Sequence, residues 1–528
     1  MNAGMRPLGA IVLALALAGQ APPLRAQEPS GPLAGLDAYV RKAVADWGIA
    51  GAAVAVVKND SVVFARGYGL REVGKPDSVD ERTLFAIGSN SKLFTAVLAG
   101  MMVDEGKMKW SDPATKFLPG FQLYDPYVTR EITLGDLLSH DSGLGRRGDL
   151  IWYGSAFSRD EILRRIRYLK PIASFRSEFG YQNIMVMAAG QAVAAAAGKS
   201  WDDLVRERIF GPLGMSCSNT STKQLVHDGA CGDVATPHDL DKGKLTAIPW
   251  RNIDNIAPAG SINSSVLDMA QWLRLLLAGG SYGGKTLIKP ATLREIEQPH
   301  TITPLTPDTL APSTHFSAYG YGVGMQDYLG VKVLTHTGGI DGMLSQVTWV
   351  PEAKLGVVIL TNTSGHNALF AAVARRVLDA YLPGSSARDW SQILLARTSE
   401  QEKKAAEAEK KAEAERPQGT HPSLALDKYA GTYSSPIYGD VVVAMEQAKP
   451  VLRFGPSFTG DMEHWAYDSF RLTWRGIGSH AIASFALDPQ GKVTTVRING
   501  MSLANEPLEF TRMPEKAGAA TAAGADRE

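Results

Sequence analysis

Cysteine is almost missing from this chain, which has two in 528 residues, Cys217 and Cys231. That scarcity excludes a disulfide framework and any multi-cysteine metal cluster. The two stand 14 positions apart and could close one loop, and spacing alone leaves open whether they do. No His-Glu-x-x-His segment or other close ligand cluster occurs either, so no metal and no cofactor are expected. An excess of charge is equally lacking: 54 basic residues balance 54 acidic ones, leaving no global field to select nucleic acid. Long apolar runs are also wanting. The longest, Leu8 to Ala18, falls short of the ~20 residues a membrane helix needs, so the mature chain is expected to lack a transmembrane span.

What is present reads first as an address. Arg6, the apolar stretch Leu8 to Ala18 and the small-residue exit through Leu24-Arg25-Ala26 have the form of a secretory signal peptide over residues 1–26. The alternative is a single anchoring helix. With no cysteine placed for lipid attachment, the expected location is the periplasm or the medium. The length exceeds what one core supports and predicts a large domain with a smaller companion.

Two β-branched runs, Ala52 to Val57 and Ser61 to Ala65, flank Asn59-Asp60 and predict a hairpin. Helical periodicity then dominates, with Lys92–Asp104, Arg159–Leu169, Asn183–Ala197 and Val266–Leu277 as the clearest segments. Strands return at Ser345–Val350 and Gly356–Thr361. The simplest arrangement is an α/β (α+β) domain over residues 31–385: an antiparallel sheet flanked by helices, built from both chain ends around a mainly helical insertion. Between 386 and 420 the composition turns to Glu, Lys and Ala, with pairs such as Glu400–Lys404 and Glu407–Lys411 at helix-favouring spacing, which predicts a solvated spacer helix. Residues 421–514 alternate short β-type runs with turns and predict a small all-β, barrel-like domain; residues 515–528 form an Ala/Gly-rich tail expected to be disordered. The aromatics of the small domain (Tyr433, Tyr438, Trp465, Phe470, Trp474, Phe485) are expected to fill its core, with lipid or glycan contact as the alternative.

The chemistry concentrates in Ser89-Asn90-Ser91-Lys92, at the start of an apolar helix. One helical turn returns Lys92 toward Ser89, so an amine can reach the hydroxyl while helix N-terminal amides face a developing oxyanion. A lysine acts as that base only if its surroundings lower its pKa from about 10.4. Ser-x-x-Lys alone is weak, since serine often caps helices. Gly279-Gly280-Ser281-Tyr282-Gly283 fits a nucleophile elbow in letters only: a helix leads into it and a turn continues from it, so Ser281 is expected to be a loop serine. Adjacent residues cannot face each other as base and orienter, so His140-Asp141 is expected to be structural. Arg146, Arg147 and Arg176 could shape an entrance, although arginines on polar loops are usually solvated.

Two further segments stand in order: Tyr181-Gln182-Asn183, opening an apolar helix, and His336-Thr337-Gly338-Gly339 before the Ser345 strand. With Leu137-Leu138-Ser139-His140-Asp141-Ser142-Gly143-Leu144 and Pro212-Leu213-Gly214-Met215, they resemble the serine β-lactamase superfamily, in its branch of class C β-lactamases, D-alanyl-D-alanine carboxypeptidases, D-stereospecific peptidases and esterases, over roughly residues 31–385. The resemblance implies that Ser89 is acylated, that Lys92 takes its proton and that Tyr181 relays a proton to the leaving group and helps activate water. It further implies that Asn183 binds the acyl amide and Lys92, that His336-Thr337-Gly338 lie on a sheet edge flanking the cleft, and that the Ser89 and Gly339 N–H groups form the oxyanion hole. The expected reaction is hydrolysis of an amide or ester in a β-lactam, a D-amino-acid peptide or a small ester. A penicillin-binding sensor or scaffold with little turnover is the alternative. His336 departs from the lysine most β-lactamases carry and, with an ordinary pKa near 6.5, weakens carboxylate attraction. Gln182 replaces a common serine and is expected to line the cleft.

Overall fold

The computed structural model describes residues 31–514 apart from 226–230, 232, 242, 306–313, 366, 386–387, 477–478, 502 and 504–505. The segments read as signal peptide and tail lie outside the described residues.

An eight-stranded antiparallel sheet organises the first unit. Its strands are β1 (Gly51–Lys58), β2 (Ser61–Gly69), β3 (Thr301–Ile302), β4 (Ser317–Tyr319), β5 (Gly324–Tyr328), β6 (Val331–Ile340), β7 (Met343–Val350) and β8 (Leu355–Thr361), in the spatial order 2-1-8-7-6-5-4-3. β1 lies between β2 and β8 and is buried on both faces, which explains its unbroken apolar run. Ala53, Ala55 and Val57 point into the core shared with the helical insertion. Ala52, Val54 and Val56 point the other way, onto helices α1 (Leu36–Asp46) and α5 (Leu369–Tyr381), whose Leu36, Val40, Val44, Leu369, Val373 and Val377 recur at helical spacing.

Between the two halves of the sheet the chain builds α2 (Ser91–Asp104), α3 (Asn183–Ala197) and α4 (Val266–Leu277). α3 begins where the Gln182 side chain accepts from the Ile184 amide and ends on Gly198 at φ 66°, so both ends are set locally. Helix and sheet content therefore match the α+β expectation.

Cys217 and Cys231 are bridged, with Cα atoms 5.5 Å apart. A loop of 14 residues closed this way is worth about 3 kcal/mol on chain-entropy grounds. Reduction, or a Cys217→Ser/Cys231→Ser double variant, is expected to lower the melting temperature by several degrees; an unchanged melting curve in reductant would refute this.

The charged segment forms helix α6 (Trp390–Ala414), but its first turns are not a spacer. Trp390, Ser391 and Leu394 are buried against the first unit, with the Trp390 indole donating to Asp379 (2.6 Å) and Ser391 Oγ accepting from the Trp47 indole (3.0 Å). Ile393 and Leu395 are partly buried beside them, and from Glu400 to Ala414 the helix is exposed. Glu400 pairs with Lys404 at 3.6 Å, whereas Lys411 turns to Glu415 at 3.7 Å.

Past α6, strands β9 (Gly431–Ser435), β10 (Gly439–Glu446), β11 (Lys449–Phe454), β12 (Phe458–Ala466), β13 (Ser469–Trp474), β14 (His480–Leu487), β15 (Val493–Asn499) and β16 (Leu508–Arg512) close into an up-and-down barrel, β16 pairing back to β9. Closure leaves no edge strand. Tyr433, Tyr438, Phe470, Trp474 and Phe485 are buried in its core, while Trp465 sits half-buried between Arg416 and Arg471. The barrel rests on the first unit: Arg147 pairs with Glu506, Arg251 donates to Ser457 (3.2 Å), Arg165 donates to the Pro436 carbonyl (3.1 Å), and the Tyr153 and Phe458 rings meet at 6.0 Å.

Candidate active site

Ser89 stands in a single 3₁₀ turn, Gly88–Asn90, that runs directly into α2. Two hydroxyls and an amide fix this turn. Ser91 Oγ donates to the Gly88 carbonyl (2.8 Å) and accepts from Ile262 N (3.1 Å). Asn90 donates to Ser345 Oγ (2.8 Å), which donates to the Ile87 carbonyl (2.8 Å) and so pins the turn to β7. Ser89 faces a cleft of about 510 Å³.

Lys92 lies beneath it, fully buried, with Nζ 2.9 Å from Ser89 Oγ, 2.7 Å from Asn183 Oδ1 and 2.7 Å from the Ala259 carbonyl. Burial holds the amine well below its ordinary pKa, the Asp149 carboxylate opposing this and Arg146 adding to it. A neutral amine has two N–H donors and one lone pair. In that neutral form the two carbonyl oxygens take the donors, and the lone pair is left for the Ser89 hydroxyl. Tyr181 donates to the same Ser89 Oγ at 2.8 Å, and burial raises its phenol above the usual value.

The backbone at Gln182 is extended, φ −144° and ψ 112°, so successive side chains face opposite ways. Tyr181 and Asn183 therefore face Ser89 and Lys92, while Gln182 faces away. Gln182 was expected to line the cleft; instead it is wholly buried, donating to the carbonyls of Gly145 (2.8 Å) and Arg147 (2.8 Å) and accepting from Ile184 N. His140 is structural as expected: its φ is 63°, and its Nδ1 accepts from Gln182 N at 3.1 Å. Ser281 sits in a two-residue strand with its hydroxyl 3.1 Å from that of Thr286, on a hairpin apart from the cleft.

On the far wall, His336, Thr337, Gly338 and Gly339 occupy the second half of β6. β6 is an interior strand at its start and an edge at its end: pairing with β5 stops at Thr335, while pairing with β7 continues to Ile340. Gly338 and Gly88 let this edge approach the serine turn. A Cβ on Gly338 would stand 1.9 Å from the Ile87 carbonyl, and one on Gly88 2.6 Å from Gly339 N.

His336 is buried and both its ring nitrogens are engaged, Nδ1 with the Thr337 carbonyl (2.6 Å) and Nε2 with the Tyr319 hydroxyl (2.8 Å). Nδ1 must carry the hydrogen to bond a carbonyl, and in the neutral ring Nε2 then accepts from the Tyr319 hydroxyl. Burial, with the Lys92 charge next in weight, pulls its pKa down to about 3.

The eight expected residues thus converge, and two supports stood outside the expectation. Buried Asp149 accepts from Asn183 Nδ2 (3.0 Å) and the Trp152 indole (2.8 Å), which turns the Asn183 carbonyl oxygen toward Lys92. Tyr319 orients His336. The only sequence hint of the former is an acid set among apolar neighbours, Gly148-Asp149-Leu150-Ile151-Trp152.

Residues 36–382 match the family model described as Beta-lactamase. The chain belongs to the β-lactamase family. Residues 415–512 match a second model, a domain of unknown function, DUF3471, which spans the barrel of this family member. Among similar proteins are the Unguisins hydrolase ungD of Aspergillus violaceofuscus, 28% identical over 88% of this chain and 87% of its own length, and a Beta-lactamase of Escherichia coli (strain K12), 25% identical over 63% and 89%. The octameric penicillin-binding protein homologue from Pyrococcus abyssi superposes with a TM-score of 0.60 at 22% identity, over 90% of this chain and 99% of that one, and so shares the fold. This β-lactamase-superfamily hydrolase has no described helix long and apolar enough to cross a membrane.

Proposed function

We propose that the protein is an exported serine hydrolase that cleaves an amide or ester of a small acyl donor, a short D-amino-acid peptide or an ester, through an acyl-Ser89 intermediate. One observation carries this reading: Lys92 Nζ and the Tyr181 hydroxyl converge on Ser89 Oγ at 2.9 and 2.8 Å, with the amine buried and its donors already occupied. Lys92 takes the Ser89 proton as Oγ attacks the carbonyl carbon. The oxyanion forms between the N–H groups of Ser89 and Gly339, at a helix start and a strand edge. Tyr181 then passes a proton to the leaving group, and water attacks the acyl-enzyme with the same groups acting in reverse. The Cys217–Cys231 bridge supports an oxidising compartment, in keeping with the leader-like N-terminus. Neutral His336 favours esters and peptides over efficient β-lactam hydrolysis.

Intact-mass analysis after incubation with a fluorophosphonate, a penicillin and short acyl esters tests this. Labelling is expected in the native chain and in Ser281→Ala, and none in Ser89→Ala. Labelling that survives Ser89→Ala and vanishes with Ser281→Ala would overturn the assignment. Rapid ester turnover beside a slow penicillin adduct identifies an esterase; stable penicillin acylation with D-alanine release identifies a carboxypeptidase.

A further inference from the structure

Neutral His336 leaves the cleft without the cation that its place in the third motif suggested, yet a cation is present nearby. Arg146 lines the cleft beside Ser89, Tyr181 and Asn183, exposed, with its guanidinium carbon 4.4 Å from the Tyr181 ring centroid. Arg147, Arg176 and Arg251 do not line the cleft, and each is paired with a carboxylate, Glu506, Asp136 and Asp341 respectively. Among the described residues no carboxylate forms such a pair with Arg146. The two acids that line the same cleft are already engaged, Asp149 by Asn183 and Trp152, and Asp341 by Tyr153 and Arg251.

The loop bearing Arg146 is held rather than loose. The buried Gln182 amide binds the carbonyls on either side of it, Gly145 and Arg147. Gly143, Gly145 and Gly148 take positive φ values of 79°, 59° and 80°, which fold the segment tightly. The Arg147–Glu506 pair fastens it to the barrel, whose Leu503 also lines the cleft. Ile253, Ile256, Ile340, Leu344 and Phe370 make most of the remaining wall apolar, so a charge there is poorly screened by other protein groups.

We propose that Arg146 is the anion-recognising group of this cleft and selects acyl donors that carry a carboxylate on the acyl chain or on the leaving group. The proposal rests on acyl transfer at Ser89 and deepens it by naming the substrate class. A planar guanidinium suits bidentate carboxylate recognition, and its seat on the Tyr181 ring fixes it within reach of a molecule bound at Ser89.

The test uses the full chain and matched substrate pairs: mono-4-nitrophenyl adipate against 4-nitrophenyl hexanoate for the acyl side, and 3-carboxyphenyl acetate against phenyl acetate for the leaving group. In Arg146→Gln the anionic-to-neutral ratio of kcat/KM is expected to fall about tenfold or more in at least one pair, with partial recovery in Arg146→Lys. A ratio unchanged in both pairs would overturn the proposal, whether or not overall rates drop, because a group that only tunes Tyr181 affects both members equally. Fluorophosphonate labelling of Ser89 in the same variant shows that the catalytic serine is intact, which separates failure of this inference from failure of the acyl-serine reading.

Discussion

Replacing Lys92 with methionine is expected to slow acylation of Ser89 by about 10³-fold, the usual scale of lost general-base catalysis, seen as the initial burst of 4-nitrophenol from a chromogenic ester. Methionine keeps the length of the side chain and removes the lone pair, so the serine proton loses its acceptor. The change also strips partners from Asn183 Oδ1 and the Ala259 carbonyl, which costs about 1–3 kcal/mol for each buried acceptor and is read separately as a melting shift. The pH profile supplies a second readout. Only the neutral amine acts as base, so kcat/KM rises with pH through the Lys92 pKa, and burial sets that limb well below 10.5. Tyr181 must keep its proton to donate, and its raised pKa puts the alkaline limb above the ordinary 10. His336 titrates at about 3 and adds no limb near neutrality. An acid limb that persists unchanged in Lys92→Met, or a burst within a few-fold of the native one, would remove Lys92 from the mechanism.

Ser89 and Lys92 were legible because one helical turn joins them; Tyr181 and Asn183 were implied only by the family resemblance, and in the structure alternation in extended backbone puts both on the serine's side. That same alternation gives Gln182 its opposite role, and reading it as a cleft residue ignored the period of two. Asp149 was not legible. Its contact with Asn183 spans 34 positions and exists only once the loop before α3 is folded. In the sheet, β1 and β8 announce themselves because both of their faces are apolar. β3, β4 and β5 are two to five residues long, too short for a period to emerge. β6 hides for a functional reason: its His336-Thr337-Gly338-Gly339 half faces a cleft and a serine turn rather than a core. In the barrel, β12 carries Gly460 between its inward Phe458 and Met462, which weakens the period of two there.

A single methyl group on that hidden half of β6 is expected to damage catalysis more than stability. In Gly338→Ala the new Cβ stands 1.9 Å from the Ile87 carbonyl and 2.5 Å from Ser345 Oγ. Neither neighbour can yield cheaply. The Ile87 carbonyl accepts from Ser345 Oγ and the Asn90 amide, and Ser345 Oγ is the acceptor that holds Asn90, so both belong to the brace of the serine turn. The strand must retreat, and Gly339 N–H retreats with it from the oxyanion it is proposed to share with Ser89. Loss of one such donor lowers kcat by about 10²–10³-fold, whereas overpacking of this kind costs about 1–3 kcal/mol of stability. Gly356→Ala in β8 separates the two effects. Its Cβ would meet only the flexible ends of Leu273 (3.1 Å) and Leu277 (3.3 Å), away from Ser89, so it is expected to shift the melting temperature modestly and leave kcat alone. Equal losses of kcat in the two variants would tie Gly338 to general packing. A kcat loss confined to Gly338→Ala, with fluorophosphonate labelling slowed in parallel, places the oxyanion donor on the free edge of β6.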